Sequence, residues 1–355
     1  MSYTNGLDDP SAYFQALTYT GNGGTQSITN DGNSDLQPDW VWIKSRSDAS
    51  WHSLQDSSRG ATKTLFSNTT NAEVTYTDAQ TSFDSDGFSL GADASGGSVN
   101  VNNRTYVGWQ WAANSGTTSS NTDGNITSTV QSNQDAGFSL VTYTGNGSNN
   151  QTIGHGLGVQ PSWWIVKRRD STGDWWFGAS SILGGTSNYL KLNSTAGNAE
   201  INNIWGDSPT SSTLFRVSNN AGLNASGGTY VAYLFANKQG YSKFGKYVGN
   251  GSNTNGTFIY TGFKPAFIMA KRTDANAHNW FIWDTKRAPS NRVEAVLKPN
   301  SSAVESSLFQ IDILSNGFKH YNNYGSTNES GASYIYTAFA ENPFVTSTGI
   351  PTTAR

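Results

Sequence analysis

Apolar runs of roughly four to eight residues, punctuated by Gly, Asn, Asp and Ser every 8–12 residues or so, fill the chain, and none carries the 3.6-residue period of an amphipathic helix. One run occurs three times, as Pro38-Asp-Trp-Val-Trp-Ile-Lys44, Pro161-Ser-Trp-Trp-Ile-Val-Lys167 and Pro265-Ala-Phe-Ile-Met-Ala-Lys271. Side chains alternate along a strand, so Trp40, Trp42 and Lys44 share a face with Trp163, Ile165, Lys167 and with Phe267, Met269, Lys271. Val41, Ile43 and their counterparts take the other face. Both faces are apolar up to the lysine, which predicts a central strand covered on both sides, with Pro at its mouth where no ladder donor is needed. A polar turn then leads into a second aromatic strand, beginning at Trp51, Trp175 or Trp280, that should pair with the first as a hairpin.

Two further signatures frame this hairpin. Tyr19-Thr-Gly-Asn-Gly23 returns as Tyr143-Thr-Gly-Asn-Gly147 and Tyr247-Val-Gly-Asn-Gly251, where Asn-Gly after a strand predicts a tight turn. The closing runs start at Tyr106, Tyr230 and Tyr334 and read as buried strands. From Tyr19 to Tyr143 and from Tyr106 to Tyr230 the offset is 124 residues; from Tyr143 to Tyr247 and from Tyr230 to Tyr334 it is 104. Opening and closing signatures therefore move together, as in a duplicated unit. The fold class expected is all-β: three tandem antiparallel β-sandwich or jelly-roll-like repeat domains. An N-terminal arm (1–18) enters repeat 1 (19–114), a flexible Ser/Thr/Asn-rich linker (115–135) leads to repeat 2 (136–237), a connector (238–246) leads to repeat 3 (247–342), and a polar tail (343–355) follows.

Composition changes the picture in one respect. Charged residues make up 13% of the 355, about half the usual share, so the surface must be built from Ser, Thr, Asn and Gly. With a net charge of −3 and no basic run, nucleic acid is not an expected partner. No apolar stretch is long enough to cross a membrane as a helix, and the amino terminus has no export signal. The absence of cysteine leaves packing alone to hold each unit.

Candidate chemistry is sparse. The 12 tryptophans invite a glycan-stacking reading; those in the repeated strands are core, and Trp175, Trp205 and Trp283 are the candidates for ligand stacking. Glu73, Glu200 and Glu305 follow recurring asparagines (Asn68, Asn193, Asn300) and read as fold-defining contacts, since a glycosidase needs two carboxylates about one bond. Asp56 with Arg59 and Asp284 with Arg287 read as turn-locking ion pairs, replaced in repeat 2 near Ser180 and Leu183. Asp84-Ser-Asp-Gly87 has the start of a calcium loop but lacks the third ligand position and the distal glutamate, and His52, His155, His278 and His320 have no zinc spacing. No catalytic residue, metal site or cofactor is expected, and the chain is not read as an enzyme.

The run from Gly240 to Gly251, Phe258 to Asp274, Ser315-Asn-Gly-Phe318 and Tyr334-Ile-Tyr-Thr-Ala-Phe-Ala-Glu-Asn-Pro-Phe344 resembles a repeat of tail-fibre-like virion proteins of tailed, especially marine, bacteriophages. Asp8-Asp-Pro-Ser-Ala-Tyr-Phe14 and Leu36 to Lys44 resemble the amino-terminal unit of the same family. The resemblance implies a structural protein on the virion surface, on tail or capsid, made in the host cytoplasm. Its expected partners are other virion proteins and a host-surface glycan bound by weak multivalent contacts, in a homo-oligomer for which a trimer is one candidate. The alternatives are a capsid or tail decoration protein without a ligand and, third, a glycan-cleaving tailspike. The chain carries no coiled coil or anchoring domain of the kind many phage fibres have.

Overall fold

A computed structural model describes residues 6–352; the first five residues of the arm and the last three of the tail lie outside it. The chain is all-β with antiparallel ladders, interrupted by a 3₁₀ turn and two four-residue helices, Ser180–Leu183 and Ala221–Asn224. Each repeat lays down the same core ladder. The opening strand (Phe14–Thr20, Phe138–Thr144 or Ser242–Val248) pairs with the closing strand (Thr105–Trp111, Thr229–Phe235 or Ser333–Pro343). The closing strand pairs with the central strand (Trp40–Ser45, Trp163–Arg168 or Phe263–Arg272), and that with the aromatic hairpin strand expected from the sequence. Registers coincide: Trp40 faces Trp111, Trp163 faces Phe235 and Phe267 faces Phe339. Pro38 and Pro161 precede their strands, whereas Pro265 lies inside one at a register shift, where its missing N–H breaks no regular ladder.

The Asn-Gly signature does not make a hairpin. The strand after it (Gln26–Thr29, Gln151–Gly154 or Phe258–Tyr260) belongs to a second sheet and pairs with Gly87–Leu90, Leu214–Val217 or Gly317–His320. The motif is a crossing between sheets, locked in each repeat by a buried asparagine 78 residues on. Asn22, Asn146 and Asn250 donate their N–H groups to the Oδ1 atoms of Asn100, Asn224 and Asn328, at 3.0, 2.8 and 3.1 Å. The two signature tyrosines stack, with centroids 5.0, 5.0 and 4.9 Å apart. A Cβ on Gly21, Gly145 or Gly249 would lie 2.2–2.4 Å from a backbone carbonyl oxygen, so glycine is required by close approach.

Alternation along the central strand then builds four cores. Val41 and Ile43, Trp164 and Val166, and Ile268 and Ala270 each face the interior of their own sandwich. Trp40 and Trp42, Trp163 and Ile165, and Phe267 and Met269 face the opposite way and meet in a fourth core common to all three repeats. There Trp40 stacks on Tyr233 at 4.4 Å, and Trp111 meets Phe267 edge-on at 5.7 Å.

The 115–135 stretch corrects the linker expectation. Ser119–Asn121 and Ser128–Asn133 are strands, the second pairing with the opening strand of repeat 2 from Phe138 to Tyr143. Polar Ser, Thr and Asn hide this: an edge strand needs only backbone groups and an alternating half-buried side, here Ser128 and Val130. The connector likewise ends in strand, because repeat 3 opens at Ser242 rather than Tyr247.

Candidate functional site

The three tryptophans singled out for ligand stacking are core residues. Trp175, Trp205 and Trp283 are 0–1% exposed, and each indole N–H donates to a backbone carbonyl, that of Phe66 at 2.8 Å, Asn188 at 3.0 Å and Phe309 at 3.0 Å. Trp175 looked like a strand-end residue, yet its face turns to the shared core and its indole reaches back into repeat 1. Burying the ring while satisfying its one donor is the usual solution for an interior Trp.

The polar residues with the most organised surroundings lie instead at the junctions between repeats. At the junction of repeats 1 and 2, Arg59 pairs with Asp56 and, at 2.9 Å, with Glu73, and Tyr233 of repeat 2 donates to Asp56 at 2.6 Å. Glu73 also takes two bonds from Arg169 of repeat 2, each 3.0 Å. The junction of repeats 3 and 1 has the same parts. Arg287 holds Asp284 at 2.5 Å and Glu305 at 3.0 Å, Glu305 takes Arg46 of repeat 1, and the Trp109 indole donates to Asp284 at 3.0 Å. The Asp and Arg side chains of both pairs are fully buried. Burial alone would discharge Arg59, but Asp56, Tyr233 and Glu73 together outweigh it and hold the guanidinium above its ordinary range. Burial acts against the charge of Glu73 and Glu305 too, and the two arginines on each, Arg169 with Arg59 and Arg46 with Arg287, together reverse it and hold both carboxyls below the usual carboxylate range. These pairs therefore lock turns, as the sequence predicts, and also clamp one repeat to the next.

The third junction, between repeats 2 and 3, lacks every part of the clamp. Ladder positions identify the counterparts: Trp163 precedes Trp164, which faces Gly178, so Ala179 stands where Asp56 and Asp284 do, and Ile182 where Arg59 and Arg287 do. Sequence proximity had pointed to Ser180 and Leu183. The carboxylate's place is taken by Asn198, whose N–H donates to Thr273 O at 2.7 Å just as Glu73 donates to Arg169 O and Glu305 to Arg46 O. Glu200, grouped with the other two because it follows a recurring asparagine, is shifted by two residues and pairs with Asn188 on an edge. The partner arginine becomes Thr273, and the ring donor, Tyr233 or Trp109 at the other junctions, becomes Thr337. A signal was present in Lys44-Ser-Arg46, Lys167-Arg-Arg169 and Lys271-Arg-Thr273, where the third repeat alone loses its arginine. A cavity of about 550 Å³ opens here, floored by Ile182 and Leu183.

The repeated lysines close the constellation. Lys44, Lys167 and Lys271 are fully buried. Lys167 donates to Gly173 O at 2.8 Å and, across the junction, to Thr70 O at 3.2 Å; Lys271 donates to His278 O at 2.5 Å and across to Thr195 O at 3.1 Å. Burial lowers Lys44 and Lys167 to about 8 and Lys271 to about 7. The carbonyls occupy the ammonium groups, which places them in the framework. Among the described residues no three His, Cys, Asp or Glu side chains gather as metal ligands, and no helix is long and apolar enough to cross a membrane.

No curated protein and no solved structure matches the sequence. A family model described as a domain of unknown function, DUF7483, matches residues 9–343, and the chain belongs to that family.

Proposed function

We propose that this chain is a structural component of a tailed-bacteriophage particle, exposed on its surface, and that it works as a rigid block rather than as an enzyme. The single observation that carries the block reading is the shared aromatic core: three repeats closed into a ring by Trp40, Trp111, Phe235, Phe267 and Phe339 leave little freedom for hinge or cleft. The phage assignment rests on the sequence resemblance alone. Within it, the decoration reading is favoured over glycan attachment through Trp175, Trp205 and Trp283, because those rings are enclosed.

The test is made on particles of the phage that encodes the chain. Purified particles should contain the protein in a fixed copy number. Particles lacking it should adsorb to host cells at the normal rate and lose integrity at lower temperature. Absence from particles sinks the proposal, and an adsorption defect with intact thermal stability would return the role to host attachment.

A further inference from the structure

Repeat 3 leaves open a side that repeat 2 covers. In repeat 2 that side is sealed by the chain itself. Ser128–Asn133 pairs along the opening strand, Ile126 N–H donates to Thr152 O at 3.0 Å, and Ser128 Oγ donates to Gly154 O at 2.8 Å, so the insertion covers the edges of both sheets. Thr152 and Gly154 are buried beneath it. Repeat 3 has no such insertion, and its opening strand Ser242–Val248 ends its sheet, with only its first residue, Ser242, bridged on the outer side by Lys238. The positions matching Thr152 and Gly154, fixed by Ile153 facing Phe215 and Ile259 facing Phe318, are Phe258 and Tyr260. They are 45% and 53% exposed, and Val248 at the end of the open edge is 58% exposed. Repeat 1 has an open edge too, but its matching residues are Ser27 and Thr29, which need no cover. Large apolar side chains beside an unpaired strand are a liability unless something covers them.

The backbone of this edge is also aimed outward. Phe244 N–H turns away from the closing strand to the Asn237 side chain at 2.7 Å, so by strand alternation the N–H and C=O of Lys246 point the same way. The lysines at the edge, Lys243 and Lys246, are exposed, and among the described residues neither pairs with a carboxylate. Behind Lys246 lies the cavity floored by Ile182 and Leu183.

We propose that an extended segment of another protein adds to repeat 3 as a short antiparallel strand opposite Phe244–Val248, centred on the N–H and C=O of Lys246, since Ser242 is already bridged to Lys238 and Phe244 N–H is held by Asn237. It packs apolar side chains on Phe258 and Tyr260 and sets a carboxylate against Lys246. The register of Ser128–Asn133 gives the geometry: the residue matching Thr129 falls opposite Lys246 and faces the junction, while those matching Ser128 and Val130 face the sandwich. Main-chain bonds supply affinity and alternate side chains specificity, as in other strand additions. A second copy of this chain is a poor occupant, since pairing two such edges would bring the Lys243 and Lys246 groups of both copies together.

The probe is a synthetic octapeptide of alternating Val and Glu, with alternating Val and Lys as control, titrated onto the full chain. The Val/Glu peptide should bind at least tenfold more tightly than the control and protect the Lys246 amide from hydrogen exchange. Lys246→Pro removes that N–H, and proline is tolerated on an outward-facing edge; it should weaken binding at least tenfold with an unchanged melting temperature. Phe258→Ser with Tyr260→Ser, which leaves the backbone intact, should weaken it several-fold and serves if the proline variant misfolds. Equal binding of the two peptides, or binding indifferent to these variants, overturns the proposal. So does a dimer of the free chain that Lys246→Pro dissolves, because the occupant would then be a second copy.

Discussion

At the scale of single residues, enclosure decides what the aromatic and basic groups can do. Trp175→Ala should cost about 3–5 kcal/mol, the range for emptying a large buried aromatic site, read as a lowered urea midpoint; an unchanged midpoint would mean the ring is not enclosed. The buried bases set the pH dependence. Burial lowers Lys44, Lys167 and Lys271 from the ordinary lysine value of 10.5 to about 8, 8 and 7. Between those values and that of the unfolded chain the unfolded state binds more protons, so stability rises with pH from about 7 toward 10. His155 and His320, lowered by burial to about 4 and 3, add a loss of stability as pH falls below the ordinary histidine value of 6.5. Above 10 the sign reverses, since burial raises Tyr19, Tyr143 and Tyr247 and the unfolded chain releases those protons first. Chemical denaturation from pH 5 to 11 should show a maximum on the alkaline side of neutrality; a maximum at pH 6 would contradict it.

At the scale of elements, the clamps show which features a sequence exposes. Arg59→Ile leaves the Asp56 carboxylate buried, with Tyr233 and the backbone N–H of residue 59 as its remaining donors, and should cost about 3–5 kcal/mol, as removing one partner of a buried pair does. Adding Asp56→Ala reproduces the pairing found at the third junction, Ala179 with Ile182, and should recover part of that loss in a double-mutant cycle; strict additivity would show that the two residues are not coupled. The Pro-aromatic-Lys strand, its two-faced burial and its hairpin were legible because alternation and repetition fix them locally. The strands at Ser119–Asn121 and Ser128–Asn133 were not, because backbone pairing at an edge leaves little mark on polar side chains. The role of Asn198 was hidden for another reason: Glu200 looks like Glu73, and only the bond from Asn198 N–H to Thr273 O shows which residue occupies the place. Trp205 and Trp283 were misread because their partners, Asn188 and Phe309, lie 17 and 26 residues away.

At the scale of the whole molecule, the repeat boundaries seen in sequence are not boundaries of stability. Repeat 1 contributes Trp40, Trp42, Trp109 and Trp111 to the shared core, repeat 2 contributes Trp163 and Phe235, and repeat 3 contributes Phe267 and Phe339. Removing repeat 1 therefore exposes large aromatic faces on the other two and breaks both charged clamps, each of which has a member in repeat 1. The arm and tail add to the closure, with Ser347 N–H donating to Asp8 at 2.6 Å. A linker that let repeats 2 and 3 move freely would permit a fragment of residues 136–355 to fold alone. The shared core predicts the contrary: that fragment should bind a hydrophobic dye, aggregate and show no sharp thermal transition, while the full chain unfolds in one step with matching calorimetric and van't Hoff enthalpies. A soluble 136–355 fragment with a cooperative transition of its own would mean that the aromatic contacts around Trp40 and Trp111 only dock repeats that are already folded.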